Sequence, residues 1–97
     1  MRFEVKLVPS ADDDLVFYKR RQQNVIVDAV EGFLGVDADI ESRKRRRLRP
    51  NPLAPWELRI GDYRVFYEIR AQGLVRMLAI GHKVHSDLFI RGQRVEI

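Results

Sequence analysis

Two short glycine-containing loops constrain this chain more than any other feature. Gly61-Asp62 separates two runs rich in apolar and aromatic residues, Trp56 to Ile60 and Tyr63 to Ile69. A two-residue loop with glycine first suits a primed hairpin turn, whose twist matches that of the strands it joins. Such a turn dictates the pairing: Ile60 opposite Tyr63, Arg59 opposite Arg64, Leu58 opposite Val65, Glu57 opposite Phe66 and Trp56 opposite Tyr67. Side chains alternate between the faces of a strand. Trp56, Leu58, Ile60, Tyr63, Val65 and Tyr67 therefore share one face, which is the core side. The second loop, Ala71-Gln72-Gly73, has three residues with glycine last and predicts a type I turn closed by a glycine bulge. It sets Ile69 against Val75, Glu68 against Arg76, Tyr67 against Met77 and Val65 against Ala79, with Ile80 flanking Arg64. Both loops return the same core face, so the second half of the chain reads as an antiparallel meander. Its other face carries Glu57, Arg59, Arg64, Phe66, Glu68, Arg76 and Leu78. The chain is expected to leave the third strand at Gly81-His82-Lys83. Leu88-Phe89-Ile90 and Arg94 to Ile97 then add or extend a strand, with Gly92 turning between them.

The first half has a different period. Phe3, Val5 and Leu7 alternate with Glu4 and Lys6, which predicts a half-buried strand over residues 3–8, ended by Pro9. Ser10 is expected to cap a helix whose first turn holds Asp12, Asp13 and Asp14, where carboxylates complement the helix dipole. Leu15 and Tyr18 make one helical face, and Ile26, Ala29, Val30, Phe33 and Leu34 make a second, with Gly35 at the C-terminal cap. One helix over residues 11–34 would be long for a chain of 97 residues. A break near Gln22-Gln23-Asn24, giving two packed helices, is the better reading. Residues 36–55 read as a connector that holds the basic run Arg43 to Arg47 and Arg49, with Pro50, Pro52 and Pro55 favouring an extended path. Such crowded like charges are expected to stay solvated.

Length and composition bound the rest. A chain of 97 residues, 45% hydrophobic and 33% charged, fits one domain, 1–97, with a modest core. Cysteine is absent, which excludes disulfides and thiolate zinc sites and makes a reducing cytoplasm the simplest setting. The opening residues, with charge and apolar side chains alternating, read as neither a signal peptide nor a membrane span. A net charge of +4 points to nucleic acid, acidic proteins or anionic surfaces without choosing among them.

Several residues invite a chemical reading. Arg59 directly opposite Arg64 is unfavourable unless compensated. The compensation is either a neighbouring carboxylate, with Glu57 and Glu68 nearest, or a ligand anion, since arginine forks match phosphate geometry. The register leaves both open. His82 and His85 stand three apart, but a pair without a third ligand is a weak metal signal, and neither a metal nor a cofactor is expected. An imidazole is the side chain type suited to exchanging protons near neutral pH. The basic run reads first as a solvated patch that adds salt-dependent affinity for a nucleic-acid backbone. Trp56 and Tyr67 read as core, and Phe89 as either core or a base-stacking ring.

The stretch Leu48-Arg49-Pro50-Asn51-Pro52-Leu53-Ala54-Pro55-Trp56-Glu57-Leu58-Arg59-Ile60-Gly61-Asp62-Tyr63-Arg64-Val65-Phe66-Tyr67-Glu68-Ile69, with the later Ala79-Ile80-Gly81-His82-Lys83, resembles the RelE/ParE superfamily of toxins from prokaryotic toxin–antitoxin systems. The resemblance implies an α/β (α+β) domain in which two N-terminal helices pack on a mainly antiparallel sheet. The implied order is β-α-α-β-β-β with a short C-terminal strand. It implies an antitoxin partner that wraps the toxin in a hetero-oligomer. Ribosome-dependent members of the family cut mRNA on the translating ribosome, and gyrase-directed members do not cut RNA. The RNA-cutting members use clustered basic residues. Arg64 matches the arginine of their tyrosine–arginine motif, Arg59 a basic position on the preceding strand, and Lys83 a basic position after the following one. Glu57 stands where some members carry a second lysine, and Phe89 near a position where some carry tyrosine. The resemblance thus implies a metal-independent endoribonuclease, an mRNA interferase in which the 2′-hydroxyl attacks the adjacent phosphate. Arg59 and Arg64 would hold the phosphate, and Lys83, with His82 or His85, would assist proton transfer. Lys44, Arg45, Arg46, Arg47, Arg49 and Phe89 would bind substrate. The alternatives are a non-enzymatic gyrase inhibitor and an inactive member that only binds an antitoxin.

Overall fold

The computed structural model describes residues 2–97. Strand β1 (Glu4–Leu7) leads into helices α1 (Pro9–Val16) and α2 (Arg20–Leu34). Six further strands follow: β2 (Arg45–Arg47), β3 (Trp56–Ile60), β4 (Tyr63–Arg70), β5 (Leu74–Val84), β6 (Asp87–Ile90) and β7 (Gln93–Val95). They form a seven-stranded sheet in the order β2-β3-β4-β5-β6-β7, antiparallel throughout, and β1 joins it parallel to β5. Two helices on a mainly antiparallel sheet is the expected architecture; the expected C-terminal segments form the β6–β7 hairpin about Gly92, and β2 is an unexpected strand at the opposite edge.

The β3–β4 pairing is the one dictated by Gly61-Asp62, residue for residue from Trp56↔Tyr67 to Ile60↔Tyr63. Gly61 takes a φ of 57°, which a side chain would resist. The β4–β5 pairing follows expectation at Ile69↔Val75, Glu68↔Arg76 and Tyr67↔Met77, then departs from it. A bulge leaves Leu78 without a partner, so Val65 faces Ile80 and Phe66 faces Ala79. One extra residue flips everything beyond it to the other face. Ile80 thereby enters the helix-side core and Ala79 leaves it. Gly81, rather than Ile80, comes to lie beside Arg64. The turn before β5 also differs, because Gln72 as well as Gly73 is left-handed (φ 65° and 72°). Nor does the chain leave the strand at Gly81. β5 runs to Val84, and His82 and Lys83 pair with Phe89 and Leu88 of β6.

The helices break earlier than expected. Ser10 is not the N-cap: Pro9 takes the first helical turn, where its missing N–H costs nothing, and Val8 becomes the cap. The break falls at Phe17 to Lys19, not at Gln22 to Asn24. The glutamines serve it from the first turn of α2. Gln22 Oε1 accepts the Lys19 N–H at 3.0 Å, and Gln23 Nε2 donates to the Tyr18 carbonyl at 2.8 Å.

Ile26, Val30 and Leu34 of α2, with Ala11, Leu15 and Tyr18, pack on Trp56, Leu58, Val65, Tyr67, Val75, Met77 and Ile80. Trp56 and Tyr67 are core as expected, with ring centroids 5.8 Å apart, and the Tyr67 hydroxyl donates to the Ala38 carbonyl. A smaller core lies on the other face, where Phe66, Ala79, Ala54 and Leu88 meet Leu48, Leu53 and Ile90. The proline-rich connector covers this second core. Asn51 pins it by donating to the carbonyls of Arg49 and Ala54 and accepting from the N–H groups of Leu53 and Ala54.

β5 is the hub. On the edge away from β4, β1 takes residues Leu74 to Met77 and β6 takes His82 to Val84. Between them the Ile80 N–H finds no strand and donates instead to Asp14 Oδ2 at 3.0 Å. Asp14 is 2% exposed, so this carboxylate of α1 seals the gap in the sheet. Its other oxygen lies 2.8 Å from Arg91 Nε, a charge contact in which the N–H is not aimed for a hydrogen bond.

Candidate functional site

Arg59 of β3 and Arg64 of β4 are direct neighbours across the hairpin, on the face away from the helices. The carboxylate that compensates them is Glu57, two residues before Arg59 on the same strand and hence on the same face. Glu57 is only 4% exposed. Its Oε2 accepts from Arg59 Nε at 3.0 Å, and its Oε1 lies 3.9 Å from Arg64 Nε. Glu68, the other expected partner, is engaged elsewhere, with Arg76 at 2.9 Å and Arg70 at 3.6 Å.

The two arginines differ in what they leave free. Arg64 is largely buried, and its Nη1 donates to the carbonyls of Gly61 and Tyr63 at 2.7 and 2.8 Å, which fixes the guanidinium to the turn. Burial holds the Arg64 pKa below its usual value; Glu57 opposes that shift and Arg59 adds to it. Arg59 keeps 46% of its side chain exposed. Lys83 joins this end of the sheet, because its N–H donates to the Asp62 carbonyl of the hairpin turn at 2.7 Å. By strand alternation past Gly81, which faces Arg64, the Lys83 side chain shares the arginine face. Three cations from three strands thus share one end of one face, with the Lys83 ammonium donating to the Ser86 carbonyl at 3.4 Å.

His82 is not with them. It faces Tyr63 across β4 and therefore lies on the helix side. Its Nδ1 is 2.8 Å from the Tyr18 hydroxyl. Burial, then Tyr63 and Asp14, push the Tyr18 pKa up to about 12, so the Tyr18 hydroxyl stays protonated beside the His82 ring. Phe89 stacks on His82 with centroids 5.9 Å apart, so that ring is packed against a protein partner. His85 sits exposed in the β5–β6 turn with a φ of 57°.

The basic run is an edge strand and only partly solvated. Arg45 is half-buried and donates to the carbonyls of Ile40 and Phe33, the latter in the last turn of α2. Arg47 lies over the Trp56 ring at 5.5 Å, and Lys44 over Phe33 at 5.3 Å. Arg46, opposite Glu57, and Arg49 are exposed. Arg43, Lys44, Arg59 and Gly61 line one shallow depression, which continues the arginine face toward the edge strand.

Sequence reasoning missed the Asp14 and Tyr18 contacts, and no local pattern announces either. The Glu57–Arg59 spacing, two apart on one strand, did carry the signal for the third.

Two helices packed on a mainly antiparallel sheet in the order β-α-α-β is the RelE-like toxin fold. The family model described as the ParE toxin of type II toxin–antitoxin systems, parDE, matches residues 5–85, and the chain belongs to that family. Among solved structures, the toxin–antitoxin complex RelBE2 from Mycobacterium tuberculosis contains a chain of the same fold, with a TM-score of 0.72 and 24% identity. That match covers 86% of this chain and 100% of the other. None of the curated proteins matches. No helix among the described residues is long and apolar enough to cross a membrane.

Proposed function

We propose that this toxin acts on RNA, cutting mRNA in the ribosome at a phosphate held by Arg59, Arg64 and Lys83. The observation that carries the reading is the convergence of these cations on one face, with Arg59 exposed beside a fixed Arg64. In the proposed reaction the 2′-oxygen attacks phosphorus as the bond to the 5′-oxygen breaks, leaving a 2′,3′-cyclic phosphate and a 5′-hydroxyl. Charge developing on the non-bridging oxygens falls to Arg59 and Arg64. The Lys83 ammonium protonates the departing oxygen, and His85 in the adjoining turn takes the 2′-hydroxyl proton. His82, engaged with Tyr18 on the helix side, has no part in it. Arg46, Arg49, Arg43 and Lys44 supply salt-dependent backbone affinity. An antitoxin, as in the RelBE2 complex, holds the toxin inactive in the cytoplasm.

A test is incubation of the purified chain with programmed ribosomes. Site-specific mRNA cleavage that Arg64→Ala lowers by more than a hundredfold is the expected result. A second reading is a non-enzymatic toxin that binds gyrase. It is favoured by the division of the expected proton-transfer residues between two faces and by the carboxylate already seated on the arginines. Intact mRNA together with blocked DNA supercoiling would establish it in place of the first.

A further inference from the structure

Among the described residues, Glu57 is the acid whose carboxylate approaches both arginines of the face, at 3.0 and 3.9 Å, while remaining 4% exposed. A buried carboxylate is costly to desolvate and persists only where partners repay it. Here it makes two directly opposed guanidinium groups tolerable. It also stays in place when a ligand arrives, because its backbone is the centre of a paired strand between β2 and β4. Any anion docked on the outer N–H groups of Arg59 therefore meets a fixed negative charge immediately behind the arginines.

We propose that Glu57 is the specificity-determining residue of this face. As a built-in counter-charge, it suits the arginine pair to the singly charged phosphodiester of a chain interior and weakens it for the doubly charged phosphate monoester of a chain end. The inference rests on the RNA-phosphate reading of the same face. Its physical basis is that repulsion from Glu57 grows with ligand charge. At a separation of about 5 Å, in a partly screened site, that repulsion is on the order of tenfold in affinity per unit of ligand charge. A diester thus loses one such factor and a monoester two. The two arginines and Lys83, with Glu57, leave a net positive site whose preference for a terminal phosphate is smaller than that of the cations alone.

The test uses the full chain and two small probes at pH 7.5. One is a deoxydinucleotide with a single phosphodiester and no 2′-hydroxyl, so that it cannot be cut. The other is thymidine 5′-monophosphate. Binding is read from the Nε–H resonances of Arg59 and Arg64. The monoester-to-diester affinity ratio of the unaltered protein is expected to lie about tenfold below that of Glu57→Gln. In Glu57→Gln, which keeps the side-chain shape and an oxygen to accept from Arg59, affinity should rise about tenfold for the diester and about a hundredfold for the monoester. Equal gains for both probes, or none, would overturn the proposal. Binding as expected without mRNA cleavage would contradict the cleavage reading alone. Failure of both probes to bind either protein would overturn this inference itself.

Discussion

At the scale of single residues, Glu57 decides how the arginine face is held together. Its side chain is 5% exposed, and that of Arg64 is 16% exposed. Truncating one member of such a group leaves charge buried without compensation. Glu57→Ala should therefore lower unfolding free energy by about 2–4 kcal/mol, with Arg59, half in water, softening the loss. Glu57→Gln should cost less than half of that, as read by urea denaturation. Equal losses for the two variants would mean that packing, not charge, is what Glu57 supplies. Asp14 is the other buried acid. Desolvation raises its pKa above the ordinary 3.8, with the Ile80 N–H and Arg91 pulling it back. A carboxyl whose folded pKa is raised contributes stability that is fully present below the unfolded value and lost as pH rises through the folded one. Unfolding free energies of the unaltered chain and of Asp14→Asn, compared across this range, should show the advantage of the unaltered chain shrinking from about pH 4 upward. A difference that grows with pH instead would mean that the Arg91 contact outweighs burial. Neither acid was legible as buried in the sequence. Asp12, Asp13 and Asp14 look alike as a string, and only the placement of α1 over the β5 gap separates Asp14 from its neighbours.

At the scale of elements, turn chemistry was legible and long-range geometry was not. Gly61-Asp62 sufficed to place Arg59 beside Arg64, because a two-residue loop allows one register. The bulge at Leu78 depends on how β5 bends to serve β4, β1 and β6 at once, and no local residue pattern carries that information. The same limit explains the misplaced histidine. One extra residue moved His82 to the helix side, where Tyr18, distant in sequence, was waiting for it. β2 was hidden by its own charge, since three consecutive arginines argue against a strand until Arg45 and Arg47 find carbonyl and indole partners. That edge is also blunted. Ser42 Oγ accepts the Arg45 N–H, and the Arg45 carbonyl accepts the Ser42 N–H, which occupies groups that another chain would need for pairing. Gly81 marks where β6 closes on β5. A Cβ there would stand 2.5 Å from the Phe89 carbonyl oxygen and 2.9 Å from Ile90 Cγ1. Gly81→Ala is expected to cost about 2–3 kcal/mol and to raise amide exchange across β6 and β7 while leaving the β3–β4 hairpin protected. Uniform loss of protection would mean that the C-terminal hairpin is not a separable unit.

At the scale of the whole molecule, the helices cover one side of the sheet and leave the hairpin end of the other open. The helix side buries the larger core and takes His82 and Phe89 into its aromatic cluster. The far side splits in two. Its middle is closed by the connector over Phe66 and Leu88, and its hairpin end presents Arg59, Arg64 and Lys83. In the proposed function, a polyanion would run from Arg49 along the edge strand of arginines to the cations at the hairpin end. The central claim is that this path holds RNA at the point of cleavage. The most direct measurement is mapping of mRNA 5′-ends on ribosomes after induction of the chain without antitoxin, beside Arg64→Ala. The account predicts new 5′-hydroxyl ends at defined positions in translated reading frames, at least a hundredfold rarer with Arg64→Ala. Growth arrest with no new ends, unchanged by Arg64→Ala, would contradict it.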